Sequence, residues 1–167
     1  FRSIDIIFNL ACPASPPIYQ KDPLFTLDTN YIGTKKMLEL AKDKSAVFIQ
    51  ASTSEIYGDP LVHPQKENYF GNVNTSGVRS CYDEGKRVAE TLCYEFRKIF
   101  GVQTRTIRIF NTYGPGMMAN DGRVISNFLV NTIKGKSLNI YGSGDKTRSF
   151  CYIDDMINAL VKVMEID

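Results

Sequence analysis

Three tyrosine–lysine pairs in this chain of 167 residues have a spacing of four residues, which places both side chains on one face of a helix. On such a face the lysine ammonium stabilises a phenolate, so that the tyrosine can transfer a proton. The pairs are Tyr31 with Lys35, Tyr82 with Lys86, and Tyr94 with Lys98. Because the chain has nine tyrosines, chance alone gives pairs of this kind, and their surroundings must decide between them.

The surroundings favour Tyr82 and Lys86. This pair opens a predicted helix after a long loop, and the strand before that loop, at 46–52, leads into the hydroxyl-bearing residues 52–54 and then Glu55. The carboxyl ends of strands in an open parallel sheet line the ligand crevice, so these residues fall where chemistry is expected. The other two pairs lie inside predicted helices, where packing or a solvated ion pair explains them.

Short apolar runs alternate with longer amphipathic stretches, which is the βαβα pattern of a parallel sheet with helices on its faces. The main predicted strands are 5–10, 46–52 and 103–110, and the main predicted helices are 24–42 and 82–100. The C-terminal part adds predicted helices at 123–134 and 153–167, a short strand at 138–141 and an extended segment at 149–153. The Pro-, Gly- and Asn-containing stretches 59–76 and 114–122 are predicted to be long loops, which are often functional.

The composition excludes several kinds of site. The chain carries 20 basic and 18 acidic residues, and the basic ones are scattered, so no nucleic-acid surface is predicted. Four cysteines without a CxxC spacing and a single histidine argue against a metal site. No apolar run approaches the roughly 18 residues of a spanning helix, so no membrane contact is predicted from this segment.

Several strings, taken in order, resemble the extended short-chain dehydrogenase/reductase superfamily of nucleotide-sugar enzymes. They are Asn9-Leu10-Ala11, 29–34 (TNYIGT), 52–58 (STSEIYG), and Tyr82 with Lys86. Three longer strings resemble the UDP-glucuronate decarboxylases, also called UDP-xylose synthases. They are 11–17 (ACPASPP), 79–87 (RSCYDEGKR), and 108–115 with 120–124 (RIFNTYGP, NDGRV). The similarity covers essentially the whole chain.

The resemblance implies a Rossmann-like doubly wound α/β fold. Residues 1–113 would form the C-terminal part of the NAD-binding domain, 114–152 a partial UDP-sugar domain, and 153–167 a helix at the junction. The superfamily's Gly-rich GxxGxxG turn, which holds the cofactor pyrophosphate, does not occur in these residues. We therefore expect an internal piece of a larger enzyme, without the N-terminal βαβ unit.

The implied reaction is the decarboxylation of UDP-glucuronate to UDP-xylose with NAD as the cofactor. Tyr82 would deprotonate the C4 hydroxyl, with its pKa of about 10 brought towards neutrality by Lys86 and the nicotinamide charge. Hydride would pass from C4 to NAD⁺, carbon dioxide would leave the resulting β-keto acid, and the hydride would return. The nearest enzymatic alternative is a nucleotide-sugar 4,6-dehydratase, and the alternative outside enzymes is a non-catalytic remnant or binding module.

The resemblance also implies roles for individual residues. The catalytic set is Tyr82, Lys86, Thr53, Ser54, Glu55 and Arg148. Thr53 would contact the C4 oxygen, while Ser54 and Glu55 would act near the carboxyl group and the C5 proton; a ribose or water contact is the alternative for Glu55. Arg148 is either a diphosphate ligand or a catalytic residue.

Further implied residues divide into a cofactor side and a substrate side. The predicted cofactor contacts are Leu10, Ala11, Cys12, Asn30, Ser52, Tyr82, Lys86, Thr112 and Arg123. The predicted substrate contacts are Arg79, Asn111, Asn127, Asn139, Tyr141 and Arg148.

Some of these residues have alternative roles. Arg79 could instead anchor a loop through an ion pair, Asn30 could only kink its helix, and Tyr141 could pack in the core. Gly116 stands where the family pattern leads us to expect arginine, which removes one cation near the substrate. Family members usually pair through the helices at 24–42 and 82–100, so a homodimer is expected.

Overall fold

Two parallel β-sheets form the framework of the molecule, seen in a computed structural model that describes residues 3–140 and 142–166. The first sheet has the strand order β1 (Ile6–Asn9), β2 (Val47–Thr53), β3 (Thr104–Ile109). The second sheet pairs β4 (Asn111–Tyr113) with β5 (Phe150–Tyr152). The predicted parallel α/β arrangement is confirmed, and each of the three main strands begins and ends one residue from its predicted limits.

Within the described residues, six α-helices accompany the strands. They are α1 (Pro16–Tyr19), α2 (Pro23–Asp28), α3 (Thr34–Lys44), α4 (Ser80–Phe100), α5 (Val124–Ile133) and α6 (Ile153–Glu165). A π-helical segment, Thr29–Gly33, joins α2 to α3, and a 3-10 helix, Ser54–Tyr57, follows β2. The single helix predicted at 24–42 therefore consists of three parts, with a widened turn in its middle.

The strand predicted at 138–141 is wrong over its described part. Residues 138–140 have no regular structure, and Tyr141 lies outside the described residues. Leu138 and Ile140 are exposed, so the apolar alternation that suggested a strand here is not used to bury a sheet face.

The main core lies between the first sheet and two helices. Because β1, β2 and β3 are neighbours in chain order, right-handed crossovers through α3 and α4 place both helices on the same face of the sheet. The buried side chains of this core are Leu38, Ala41, Ala46, Phe48, Cys93, Phe96 and Val102. The packing fixes α4 against the ends of the strands, where the predicted chemistry lies.

Residues 3–140 and 142–166 lack two kinds of feature. No helix there is both long and apolar enough to cross a membrane. No group of three or more His, Cys, Asp or Glu side chains there is placed to hold a metal ion.

Candidate active site

The first turns of α4 bury the Tyr82–Lys86 pair against the end of β2. Tyr82 is 7% exposed and Lys86 is 4% exposed. The Lys86 ammonium donates a hydrogen bond of 2.9 Å to the Ala51 carbonyl oxygen and lies 5.8 Å from the centre of the Tyr82 ring. Tyr31 and Tyr94, by contrast, are 47% and 62% exposed. The structure therefore separates one buried pair from two surface pairs.

Burial raises the pKa of Tyr82 to about 12, although a hydrogen bond with Thr53 holds back part of the rise. The fall in this pKa that is predicted from Lys86 together with the nicotinamide charge is not produced by Lys86 alone. The physical reason is that the phenolate would lose its hydration, while the ammonium is engaged by a backbone carbonyl rather than by the phenol. At neutral pH the Tyr82 hydroxyl keeps its proton.

Asn30 supports this pair from the π-helical segment. Its side-chain amide donates hydrogen bonds to the Thr26 carbonyl oxygen at 2.8 Å and to the Cys12 sulfur at 3.0 Å. Gly85 of α4 packs against it so closely that a Cβ there would lie 2.9 Å from the amide nitrogen. Asn30 thus lies in the π-helical segment, as the alternative role suggested. It also links Cys12, which follows β1, to this segment beside α4.

The 3-10 helix after β2 carries the next predicted residues. The Thr53 hydroxyl accepts a hydrogen bond of 3.3 Å from the backbone N–H of Glu55. Thr53 thereby caps the N-terminus of this helix. The Glu55 carboxylate forms an ion pair with the Arg79 guanidinium, and the two side chains are 32% and 48% exposed. The alternative role given to Arg79, an ion pair that anchors a loop, is therefore seen.

Sequence reasoning gave no role to Asp83, which the structure places beside Arg79. Asp83 is 8% exposed, and its Oδ1 atom has no hydrogen-bond partner among the described residues. Burial raises the pKa of this carboxyl to about 6, and the Arg79 charge opposes the rise. The only sequence signal was its place in the string CYDEGKR.

A second missed feature is the ion pair between Glu90 of α4 and Arg108 of β3. The Arg108 guanidinium donates to both carboxylate oxygens of Glu90, at 3.1 and 2.9 Å. Glu90 also accepts a hydrogen bond from Ser52, the residue paired with Arg108 across the sheet. Arg108 further donates to the Tyr57 hydroxyl at 2.9 Å and to the Glu67 carbonyl oxygen at 2.7 Å. We call these the Glu90–Arg108 network; it ties the end of β2 to the predicted loop at 59–76.

An open cleft of about 1140 Å³ lies beside these groups. The predicted residues on its wall are Ser54, Glu55, Arg79, Asn111 and Arg148. Asp83 and loop residues such as His63 complete the wall. The cleft brings together hydroxyl groups, carboxylates and guanidinium groups, which suits a polar, anionic ligand.

The remaining predicted contacts lie away from the wall of this cleft or are held by neighbours. Arg123 forms an ion pair with Asp121, and its charge is near enough to lower the pKa of Tyr82. The Asn127 side-chain amide donates a hydrogen bond of 3.2 Å to the Gly122 carbonyl oxygen. Asn139 is exposed. On the wall itself, the Asn111 amide donates to the Ser149 carbonyl oxygen at 2.9 Å.

The other described residues of the predicted site lie in or next to strands β1, β4 and β5. Leu10 and Ala11 are exposed just after β1. The Thr112 hydroxyl lies 3.4 Å from the Phe110 carbonyl oxygen, and Arg148 donates to the Thr147 carbonyl oxygen at 2.7 Å. Tyr141 lies outside the described residues. The structure thus brings Ser52, Thr53, Tyr82 and Lys86 together in one buried group, with Ser54, Glu55 and Arg79 at its rim.

Sequence comparison finds relatives over the whole chain. UDP-glucuronic acid decarboxylase 6 of Arabidopsis thaliana is 55% identical over 167 residues, which is 100% of this chain and 49% of the relative. UDP-glucuronic acid decarboxylase 1 of Xenopus tropicalis is 57% identical over 98% of this chain and 39% of the relative. The predicted resemblance is confirmed, and the chain spans about half the length, or less, of these curated relatives.

Solved structures with the same fold agree. The UDP-N-acetylglucosamine 4-epimerase of Methanobrevibacter ruminantium, in complex with UDP-N-acetylmuramic acid, has a TM-score of 0.89 at 28% identity, over 98% of this chain and 52% of its own. The UDP-glucuronic acid 4-epimerase of Bacillus cereus, in complex with UDP-glucuronic acid and NAD, has a TM-score of 0.85 at 29% identity, over 98% and 50%. The Rossmann-like fold is thereby confirmed.

A family model with the description "NAD dependent epimerase/dehydratase family" matches residues 1–167, so the match includes every residue of the site. The predicted cofactor, NAD, agrees with that description. This chain belongs to the NAD dependent epimerase/dehydratase family.

Proposed function

We propose that this chain carries the proton-transfer residues of a UDP-glucuronate decarboxylase. The observation that carries the proposal is the 55% identity, over the entire chain, to a protein of that name. The cleft agrees with it, since Arg79 and Arg148 on its wall suit a sugar carboxylate and a diphosphate. Thr53 and Tyr82 directly adjoin Ser54 and Asp83 of the cleft wall, and there they would exchange a proton with a sugar hydroxyl.

Lys86 is the residue that best supports a bound NAD. An ammonium group has three N–H donors, and within the described part of the chain Lys86 uses one of them, on Ala51. A buried ammonium with spare donors suits the ribose hydroxyls of a dinucleotide. Leu10, Ala11, Cys12, Asn30 and Ser52 would complete that side of the site. When bound, NAD⁺ supplies a reversible hydride acceptor at C4, so the overall reaction has no net redox change.

The chain's own residues would handle the protons. Once the Tyr82 phenol is ionised, which the positive charge of a bound nicotinamide ring would favour, it would take the proton of the C4 hydroxyl while Thr53 holds the oxygen, and C4 would become a ketone. The C5 carboxylate is then that of a β-keto acid, so the bond to the carboxyl carbon breaks and its electrons pass towards the C4 oxygen. Carbon dioxide leaves, and Glu55 with Ser54 would pass a proton taken from solvent to C5. Tyr82 returns its proton to the C4 oxygen as the sugar becomes UDP-xylose.

The proposal is tested in a chimera in which these 167 residues replace the matching half of the Arabidopsis thaliana decarboxylase 6. Incubation with UDP-glucuronate and NAD⁺ is expected to give carbon dioxide and UDP-xylose, measured by chromatography. A chimera that binds NAD⁺ but gives UDP-galacturonate, or no product, would contradict it. Conversion of dTDP-glucose or GDP-mannose to a 4-keto-6-deoxy sugar would favour the dehydratase alternative.

The 167-residue chain on its own is expected to bind NAD⁺ weakly or not at all. The Gly-rich turn that supplies backbone N–H groups to the pyrophosphate does not occur among its residues. Isothermal titration calorimetry of the chain should give little or no heat of binding, whereas the chimera should titrate with NAD⁺. Tight binding by the chain alone would show that its own residues suffice.

A homodimer formed through α2–α3 and α4 is also proposed. The apolar side chains near the end of α4 have two different surroundings: Phe96 lies in the core, while Ile99 is 63% and Phe100 48% exposed. On the other helix, Leu24 is 73% and Ile32 43% exposed. Burial of such side chains against a second copy is favourable. Sedimentation equilibrium is expected to give the mass of a dimer, and Ile99→Asp is expected to shift it towards the monomer; an unchanged mass would contradict this interface.

A further inference from the structure

One guanidinium, that of Arg79, faces two carboxylates. Glu55 of the 3-10 helix forms the ion pair seen in the structure. Asp83 lies one turn along α4 from Arg79. Its backbone N–H donates a hydrogen bond of 3.1 Å to the Arg79 carbonyl oxygen. Residues four apart on a helix are neighbours on one face, and the Arg79 charge acts on the Asp83 carboxyl. Both carboxylates border the same cleft.

The two carboxylates differ in how well they are satisfied. The Glu55 and Arg79 side chains are 32% and 48% exposed, and an ion pair this open to solvent contributes little to stability. Asp83 is 8% exposed, and its Oδ1 atom lacks a hydrogen-bond partner within residues 3–140 and 142–166. A buried carboxylate oxygen without a partner is costly. Moving the guanidinium from Glu55 to Asp83 would therefore break a weak ion pair and give the buried Oδ1 atom of Asp83 a hydrogen-bond donor.

We propose that Arg79 exchanges partners, pairing with Glu55 in the arrangement seen and with Asp83 when Glu55 acts on the substrate. The inference rests on the proposed function, because it explains how Glu55, once freed from the Arg79 charge, can take up a proton from solvent and pass it to C5. Asp83 is then a positioning residue, which acts through Arg79 and need not touch the substrate. Without it, Arg79 would remain on Glu55 and occupy the carboxylate needed for chemistry.

The charges around Asp83 determine when the exchange can operate. On its own helix these are Arg79, Glu84 and the Cys81 thiol. The Tyr19 hydroxyl approaches from α1 and lies close enough to both Arg79 and Asp83 to feel their charges. Burial raises the pKa of Asp83 to about 6, so the carboxyl is ionised at neutral pH. As the pH falls through that value, Asp83 gains a proton and no longer competes for Arg79.

The test measures the titration of Asp83 by ¹³C NMR in the full 167-residue chain labelled at aspartate. The Asp83 signal is assigned by its loss in Asp83→Asn. If Arg79 is shared, Glu55→Gln releases it to Asp83, and the pKa of Asp83 is expected to fall by about 1 unit or more. No fall would overturn the proposal.

A control separates this exchange from the direct effect of removing a neighbouring negative charge. The same Glu55→Gln change is made in an Arg79→Gln background, where no guanidinium can move. A much smaller shift of the Asp83 pKa is expected there. An equal shift with and without Arg79 would overturn the proposal, because the effect would then be simple repulsion between the carboxylates.

A second measurement keeps this inference distinct from the proposed function. In the chimera, Asp83→Asn is expected to lower kcat about tenfold or more with little change in the KM for UDP-glucuronate. In the unmodified chimera, kcat is expected to fall as the pH drops through about 6, where Asp83 gains a proton. Asp83→Asn should abolish this pH dependence. If the chimera makes no UDP-xylose while the NMR coupling is present, the proposed function fails and the exchange stands. If UDP-xylose forms without that coupling, the exchange alone is overturned.

Discussion

Replacement of Tyr82 by phenylalanine is expected to lower kcat for UDP-xylose formation by about 10²–10⁴-fold in the chimera, the range typical of a lost general acid or base. The ring is 7% exposed and stacks on Tyr19 with ring centres 4.9 Å apart, so phenylalanine fills the same space. The variant loses only the hydroxyl group, which forms the hydrogen bond with Thr53, and keeps the aromatic ring. Steady-state kinetics with UDP-glucuronate measure the effect.

Tyr94→Phe is the matched control for this substitution. Tyr94 lies on the same helix, and the Lys98 ammonium stands 5.9 Å from its ring centre, nearly the separation found for Tyr82 and Lys86. It is, however, 62% exposed, so its hydroxyl is left to solvent. Its kcat should be unchanged. A similar loss in both variants, or a loss of less than about tenfold for Tyr82→Phe, would contradict the proposed role.

The stability of the Tyr82→Phe variant separates lost chemistry from lost structure. One hydrogen bond, to Thr53, is removed, so the free energy of unfolding is expected to change by no more than about 1 kcal/mol. Urea unfolding followed by circular dichroism measures it. If Tyr82→Phe is strongly destabilised, Thr53→Val tests the same hydrogen bond from its other partner, since valine replaces the hydroxyl at nearly constant volume; a Thr53→Val variant with full kcat would contradict the role of this contact.

Spacing and order in the sequence were sufficient to predict the framework and the buried pair. The alternation of short apolar runs with amphipathic stretches placed the three main strands one residue from their observed limits, although only β2 is buried along nearly its whole length. The same reasoning failed at 138–140, where an apolar alternation of three described residues stays exposed. A short alternation indicates a strand only if a neighbouring edge is present to pair with it.

Electrostatic properties could not be predicted in the same way. Spacing places Lys86 near Tyr82, but the pKa of Tyr82 depends on how much hydration its phenolate loses, which only the packing of α4 on β2 determines. Asp83 and Glu90 carried no signal for the same reason. Acidic residues on a helix are usually solvated, and their burial follows from neighbours that are distant in the sequence, such as Arg108.

The Glu90–Arg108 network gives the second large effect, on stability. Replacement of Glu90 by alanine is expected to lower the free energy of unfolding by about 2–4 kcal/mol, somewhat below the cost of breaking a fully buried ion pair, because the two side chains are 18% and 26% exposed. The loss leaves the Arg108 guanidinium without its carboxylate and the Ser52 hydroxyl without an acceptor. Urea unfolding measures the change.

Glu84→Ala is the control on the same helix. Glu84 pairs with Arg87 at 3.7 Å, and both side chains are 37% exposed, so this pair should contribute at most about 1 kcal/mol. Equal losses for Glu84→Ala and Glu90→Ala would show that the Glu90–Arg108 network has no special weight.

The double variant Glu90→Ala/Arg108→Met distinguishes a lost attraction from an abandoned charge. When both partners are removed, no buried charge is left unpaired, so the double variant should be more stable than Glu90→Ala alone. Arg108 also holds Tyr57 and the Glu67 carbonyl oxygen, so the double variant should still release the loop at 59–76 that borders the cleft. Recovered stability together with faster proteolysis of that loop would show that the network fixes the cleft wall as well as the core. A double variant less stable than Glu90→Ala would instead mean that Arg108 stabilises the fold mainly through Tyr57 and the loop, independently of Glu90.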